Sequence, residues 1–358
     1  MDADRSATNL HSNVSGQIQP NTLGLDYDGH DMVFVVGCPR SGTTWAHRLL
    51  ACHPQIRTGQ ESHVFHVHIG PQLRSWRKLA DPKRNRGGVG LSCYFTEEEF
   101  FRILKAYLLT LIEPMVAHLG PRELFLEKSP PHVLFLPEIF ELLPNARVIH
   151  VLRDARDVVS SLLSGDEWCS WWAPEKASDA ADIWAGHIKA FRDALPKIPR
   201  ERIHEIRYES LSESPVAVLR QCVDFLGLEW DLADIAKAVD ANMASRAKAS
   251  GGGTPIPLFG EAAKHSGPVV VEPKNFIRKA QAGAWETDLS WSQKFWVWRK
   301  ANNLMEEMDY HWPAGMESAF SLLSSSIDIY KGTSRRKIQK NSQHKRRFGG
   351  RAVRDART

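Results

Sequence analysis

Two rhythms of apolar and polar positions alternate along this chain. Residues 31–37, DMVFVVG, form a continuous apolar, β-branched run that stops at a glycine, the pattern of a strand covered on both faces. A helical rhythm begins at once in TTWAHRLLACH, and RTGQESHVF after it reads as a short strand or loop. Residues 71–96, with RSWRKLADPKRNRGG, read as a basic loop. The helix TEEEFFRILKAYLLTLIEPMVAHL follows, opened by Thr96 and Glu99 at the spacing of a capping box. Then come a short strand cut by prolines (ELFLEKSPP), a helix (HVLFLPEIFELLP) and a second strongly apolar strand (ARVIHVLRD). Two helices (ARDVVSSLLSG and SDAADIWAGHIKAFRDALPKI), a strand (RIHEIRYESL) and a helix closing on Gly227 (VAVLRQCVDFLGL) continue the series. A flexible break, SGGGTPIP, precedes the last helix, WSQKFWVWRKANNLMEEM.

Strands alternating with helices predict an α/β fold: three αβα layers around a central parallel sheet, of the P-loop nucleoside triphosphate hydrolase type. The boundaries expected are a flexible N-terminal arm at 1–30, a single domain at 31–330 and a basic C-terminal tail at 331–358. Ligands of such sheets sit at the carboxyl ends of the strands. Three ends here carry polar chemistry: Gly37 onward, Glu127–Lys128, and Arg153.

Composition changes this picture little. With 42% hydrophobic and 25% charged residues the chain reads as an ordinary enzyme rather than a disordered or fibrous one. Cys38, Cys52, Cys93, Cys169 and Cys222 are odd in number and scattered, which predicts a reducing compartment and neither disulfides nor zinc. No apolar run approaches the roughly 18 residues of a membrane span, and the first twenty residues are polar, so the expected location is cytoplasmic. Charge is uneven. Eleven of the 46 Lys and Arg but one of the 42 acids fall after residue 330, leaving 35 bases against 41 acids in the body. The tail has the charge for weak contact with a membrane or polyanion, while the acidic body argues against nucleic acid as the partner. Nothing in the pattern specifies an oligomer.

VFVVGCPRSGTTW, residues 33–45, is nearly a G-x-x-x-x-G-K-[ST] phosphate loop. Gly37, Gly42 and Thr44 are in register, but Thr43 replaces the lysine and the positive charge sits at Arg40. A glycine-rich turn feeding a helix N-terminus offers backbone N–H groups to an anion, and Arg40, Ser41, Thr43 and Thr44 add side-chain donors. A nucleoside triphosphatase also needs a carboxylate for magnesium at a second strand end. That end here is Arg153, followed by Asp154 and Arg156. An arginine there grips phosphate or pairs with an acid and ligates no metal, so no metal is expected.

CPRSGTTW followed by VLRDARDVVSSLLS resembles the sulfotransferases that use 3′-phosphoadenosine 5′-phosphosulfate (PAPS), nearest in pattern to the tyrosylprotein, carbohydrate and bacterial types. The resemblance spans about residues 32–230 and returns at RKAQAGAW. It implies PAPS as co-substrate. The loop, Arg40 to Trp45 including Gly42, holds the 5′-phosphosulfate, and Arg153 and Ser161 hold the 3′-phosphate. It also puts Tyr208 by the adenine and Arg278 and Lys279 over the 3′-phosphate, although Ala280 stands where cytosolic members have glycine. A core role for Tyr208 and a solvated one for the basic pair stay open.

A hydroxyl acceptor must lose a proton as it attacks, so a base is needed. Glu61 lies twenty-one residues beyond Arg40, the interval of the tyrosylprotein and some carbohydrate enzymes. His132, in EKSPPH, is the alternative and otherwise a helix cap or surface group. Lys128 and Arg40 would stabilise the leaving group, and Glu127 would face away in a structural role. His63, His66 and His68 lack a fourth ligand for a metal. Trp168, Trp171 and Trp172 either line the acceptor pocket or pack beneath a loop. The expected activity is metal-independent, in-line sulfuryl transfer to a saccharide, lipid or small-molecule alcohol. A small-molecule kinase using ATP through a degenerate loop and a non-catalytic nucleotide-binding protein are the alternatives.

Overall fold

The computed structural model describes residues 23–85, 87–164, 173–242 and 281–325. Chain order is β1 (Met32–Gly37), α1 (Thr43–Leu50), β2 (Ile56–Thr58), α2 (Gly70–Ala80), α3 (Glu97–Val116), β3 (Leu124–Lys128), α4 (Leu136–Leu142) and β4 (Arg147–Leu152). There follow α5 (Ala155–Leu163), α6 (Ala177–Ala194), β5 (Ile203–Arg207), α7 (Tyr208–Glu213), α8 (Pro215–Leu226), α9 (Leu232–Ala241), α10 (Trp285–Asp288) and α11 (Trp291–Glu307). The five strands form one parallel sheet in the order β2-β3-β1-β4-β5. Both faces of β1 are buried, which accounts for its unbroken apolar run. Met32, Phe34 and Val36 join a core with α3, α4 and the end of α6. Val33 and Val35 join another with α1, α8 and α9. Register then aligns the carboxyl ends: Val35 pairs with Lys128 of β3, and Gly37 with Val151 of β4.

Several elements depart from the sequence reading. Residues 70–80 are helix α2 rather than loop, because Leu73 and Trp76, three apart, are buried beneath its basic face. The Trp76 ring stacks on Phe100 of α3 at 4.1 Å. A π-helical turn, Val64–Ile69, leads into α2, and a Cβ on Gly70 would stand 2.0 Å from Phe135, so this close approach requires glycine. The last strand ends at Arg207, where Tyr208 starts a helix, instead of running to Leu211. Residues 23–30, read as part of a flexible arm, are anchored: Leu23 and Tyr27 pack on the core and Asn145 N–H donates to Asp28 O at 2.9 Å. The capping box of Thr96 and Glu99 and the αL cap at Gly227 form as expected. The break at SGGGTPIP and the tail lie outside the described residues. No helix among those described is long and apolar enough to cross a membrane.

His47 of α1 ties the loop helix to the sheet edge. It is 1% exposed, and its Nε2 lies 2.6 Å from Thr58 Oγ1, which donates to Leu126 O at 2.6 Å. With that hydroxyl proton spent, Nε2 must carry the ring proton. Burial above all, then Lys128 and Arg48, hold the ring's pKa down at about 3. The unfolded chain therefore takes up a proton near pH 6.5 that the fold refuses. Stability from this group is complete above 6.5 and is lost as pH falls towards 3, about 2 kcal/mol of it by pH 5. His47→Gln should flatten the fall in unfolding free energy between pH 7 and 5, measured by urea titration. An equal slope in both proteins would contradict this.

Candidate active site

The strand–loop–helix at Gly37–Leu50 is built around two positions that exclude a side chain. A Cβ on Gly37 would lie 2.6 Å from Val151 O of the neighbouring strand. Gly42 has φ +96° and would place a Cβ 2.3 Å from Cδ2 of Tyr208. The tyrosine ring thus rests directly on the loop's second glycine, meets the Trp45 ring edge-on at 5.9 Å, and lies 3.9 Å beneath the Arg153 guanidinium. Trp45 is fixed in turn by donating from Nε1 to Asn242 O at the end of α9. Arg40 takes φ +72°, unusual for an arginine. Its carbonyl accepts from Arg153 Nη1 at 3.3 Å. Ser41 Oγ and Arg153 Nε are buried with no partner among the described residues. Two unmet donors beside a helix N-terminus suit an anion.

The expected residues fall into two groups. At the β4 end, Arg40 Nε donates to Ser161 Oγ at 3.0 Å, so Arg40, Arg153 and Ser161 share one wall. Arg40, expected to stabilise the leaving group from the loop as Lys128 would from the strand end, has its Nε on Ser161 of this wall. Asp157 stands 3.9 Å from Arg153 and accepts from the backbone of Gly283 and Trp285, while Arg153 Nη2 donates to Gln281 O at 3.0 Å. Residues 281–285 are therefore stapled here. Arg278 and Lys279 just before them, and Trp168, Trp171 and Trp172, lie outside the described residues. Trp184 Nε1 anchors the strand end by donating to Arg153 O. Arg156, by contrast, is held by Asp154 and faces Trp285 at 4.1 Å in a packing role.

At the β3 end, Lys128 Nζ pairs with Glu61 Oε1 and lies 3.4 Å from Thr44 Oγ1 on the first turn of α1. Glu61 Oε2 is 3.3 Å from His63 Nε2. Lys128 is 9% and Glu61 33% exposed at the side chain, so the carboxylate remains open to an incoming molecule. Burial works to raise the Glu61 carboxyl, but His63 and then Lys128 outweigh it and hold it below the ordinary glutamate range. The same contact with Glu61 raises His63 above the ordinary histidine value.

His132 proves to be fully buried rather than on the surface. Its Nε2 accepts from the Phe65 N–H at 3.1 Å, which leaves the ring proton on Nδ1, 3.0 Å from Glu127 Oε2. Fully buried, with Nε2 bonded and Nδ1 against the Glu127 carboxylate, this ring cannot meet an acceptor. Glu127 faces away from Lys128, as expected in a strand, and is itself buried. Burial pushes its carboxyl up, but His132, Ser129 and Ser62 hold it down at about 2. The part played by His63 was hidden by its place in a run of three histidines. Among the described residues no group of His, Cys, Asp and Glu could hold a metal ion.

Known proteins resemble this chain in sequence and in fold. Caenorhabditis elegans protein-tyrosine sulfotransferase A is 27% identical over 202 residues, 56% of this chain and 50% of its own. The Drosophila melanogaster protein-tyrosine sulfotransferase is 27% identical over 201 residues, 56% of this chain and 38% of its own. The chain spans about half the length of the curated relatives it matches. In fold it is similar to a mouse sulfotransferase complexed with PAP, at a TM-score of 0.51 and 14% identity over 84% of this chain and 91% of that one. The family model for the sulfotransferase family matches residues 32–232, which hold the whole sheet together with Glu61, Lys128, Arg153 and Ser161, and the chain belongs to that family.

Proposed function

We propose that this protein transfers a sulfuryl group from PAPS to an acceptor hydroxyl, in line and without a metal ion. One observation carries the reading: a phosphate loop with an unmet buried Ser41 hydroxyl lies between an Arg153–Ser161 wall, whose Arg153 Nε is likewise unmet among the described residues, and a Glu61–Lys128 pair. Arg153 and Ser161 serve the 3′-phosphate, with Arg40 beside them; Arg278 and Lys279 are proposed as further partners of that phosphate on the sequence resemblance alone. Loop N–H groups, Ser41, Thr43 and Thr44 cradle the 5′-phosphosulfate. Trp45, half-buried, offers aromatic surface for the adenine, and the buried Tyr208 ring backs it edge-on.

In-line transfer needs one group at the attacking oxygen and another at the leaving oxygen, on opposite sides of the sulfur. The acceptor oxygen forms its bond to sulfur while the bond from sulfur to the phosphate oxygen breaks, and the hydroxyl proton passes to Glu61. Lys128 donates to the phosphate oxygen as negative charge develops there. Lys128 Nζ already lies within reach of both Glu61 and Thr44, so drawing it towards the leaving oxygen frees Glu61 Oε1 to accept the proton. Among the acceptor classes open from the sequence, saccharide, lipid, tyrosine and small alcohol, the relatives named as protein-tyrosine sulfotransferases favour the tyrosine phenol. Four unpaired cysteines among the described residues support a cytoplasmic setting, which fractionation of cells producing the chain would test.

Incubation of the protein with 35S-labelled PAPS and a panel of tyrosine peptides, saccharides, lipid alcohols and small alcohols should label one class. Glu61→Gln should bind PAP normally and lose turnover by about 100- to 10,000-fold. Ser161→Ala should instead weaken PAP binding about 10-fold with a smaller effect on the bound rate. Full turnover in Glu61→Gln would remove it as the base. Because Glu61 is held low, the acid limb of the rate profile should lie below pH 4.5, with the rate falling as pH drops through it.

A further inference from the structure

We infer that Glu127 is a positioning residue for sulfuryl transfer: its buried carboxylate locks the segment bearing Glu61 to the strand end bearing Lys128. This rests on the reading of Glu61 as the base and adds what holds it in place. Lys128 points into the site, while its neighbours 127 and 129 point the other way along β3. Glu127 Oε1 accepts from Ser62 N–H at 3.0 Å, Ser62 Oγ at 2.7 Å and Ser129 Oγ at 2.6 Å. Ser62 follows Glu61 and Ser129 follows Lys128, so one oxygen joins the residues adjoining both groups. The web continues outward. Ser129 Oγ accepts from His63 N–H at 3.0 Å, Ser62 Oγ from Val64 N–H at 3.2 Å, and His132 Nε2 from Phe65 N–H at 3.1 Å.

Four successive N–H groups at the start of the π-helical turn are thus satisfied, directly or through Ser62, by residues hung on Glu127. Each serine donates to the carboxylate and accepts from the backbone, and on the far side the His132 Nδ1 nitrogen stands 3.0 Å from Oε2. Such a network is a poor way to gain stability, because apolar residues of equal volume often do as well or better than a buried charge. It is a good way to fix a geometry, since every lone pair and proton dictates a direction. His63 enters its turn at φ +51°, a conformation these bonds hold against its usual preference.

The test is a double-mutant cycle between Glu127→Gln and Glu61→Gln. It is read by single-turnover release of 35S-sulfate from PAPS with water as acceptor, by PAP titration, and by amide hydrogen exchange over residues 61–69. A glutamine presents its NH2 either to the Nδ1 proton of His132 or to the serine hydroxyls, and in both orientations a bond is lost. Glu127→Gln should bind PAP as before, turn over about 100-fold more slowly, and exchange faster at 61–69. In the Glu61→Gln background it should cost little more, because it acts through that residue. Should Glu127→Gln fail to bind PAP, Ser129→Ala carries the same cycle. Costs that multiply across the two positions, or full turnover in the clamp variant while Glu61→Gln is slow, overturn the inference. Full turnover in Glu61→Gln instead removes the base assignment, and unchanged exchange at 61–69 then decides against the clamp.

Discussion

A missing methyl group is the constraint on which the site depends. At Gly42 the backbone adopts a left-handed conformation and the Tyr208 ring occupies the volume a Cβ would fill. That ring lies under the Arg153 guanidinium, which reaches across to the Arg40 carbonyl. The loop after β1, the end of β4 and the start of α7 are thereby one packed unit. The donors of the loop and the Arg153 guanidinium hold a fixed separation because an aromatic ring is wedged among them.

The opposite wall is built by different means. Lys128 and Glu61 come from β3 and from the segment after β2, and their placement is carried by hydrogen bonds rather than by packing. A parallel sheet delivers strand ends to one edge but leaves the connecting segments free. Satisfied polar groups then specify the path of 61–65, and His47 fixes the distance from α1 to the same edge. One wall is set by shape and the other by hydrogen-bond direction, and the expected bond cleavage lies between them.

The legible part of the chain was the part whose physics is local. The unbroken apolar runs of β1 and β4 are dictated by burial on both faces, and the glycines of 37–42 by backbone geometry. Arg153 and Ser161 lie eight residues apart across a turn and helix α5, a span that a local reading can bring to one side, whereas their shared contact with Arg40 joins residues more than 110 apart. Helix α2 was obscured because basic residues crowd its exposed face and only Leu73 and Trp76 mark the buried one. The helical start at Tyr208 was obscured because β-prone residues lead into it. Which way Arg40 turns, and what Glu127 and His132 hold, depended on partners 60 or more residues distant, beyond any periodicity. The strand alternation of Glu127 and Lys128 signalled opposite directions but not that both serve one site.

An arginine where a triphosphatase keeps its magnesium carboxylate implies a nucleotide gripped by cations and backbone donors alone. Calorimetric titration of the protein with PAP, in chelator and again in excess magnesium, tests this most directly. The account predicts one binding event of equal affinity in both. PAP binding only with magnesium, or no PAP binding while ATP with magnesium is taken up, would contradict it.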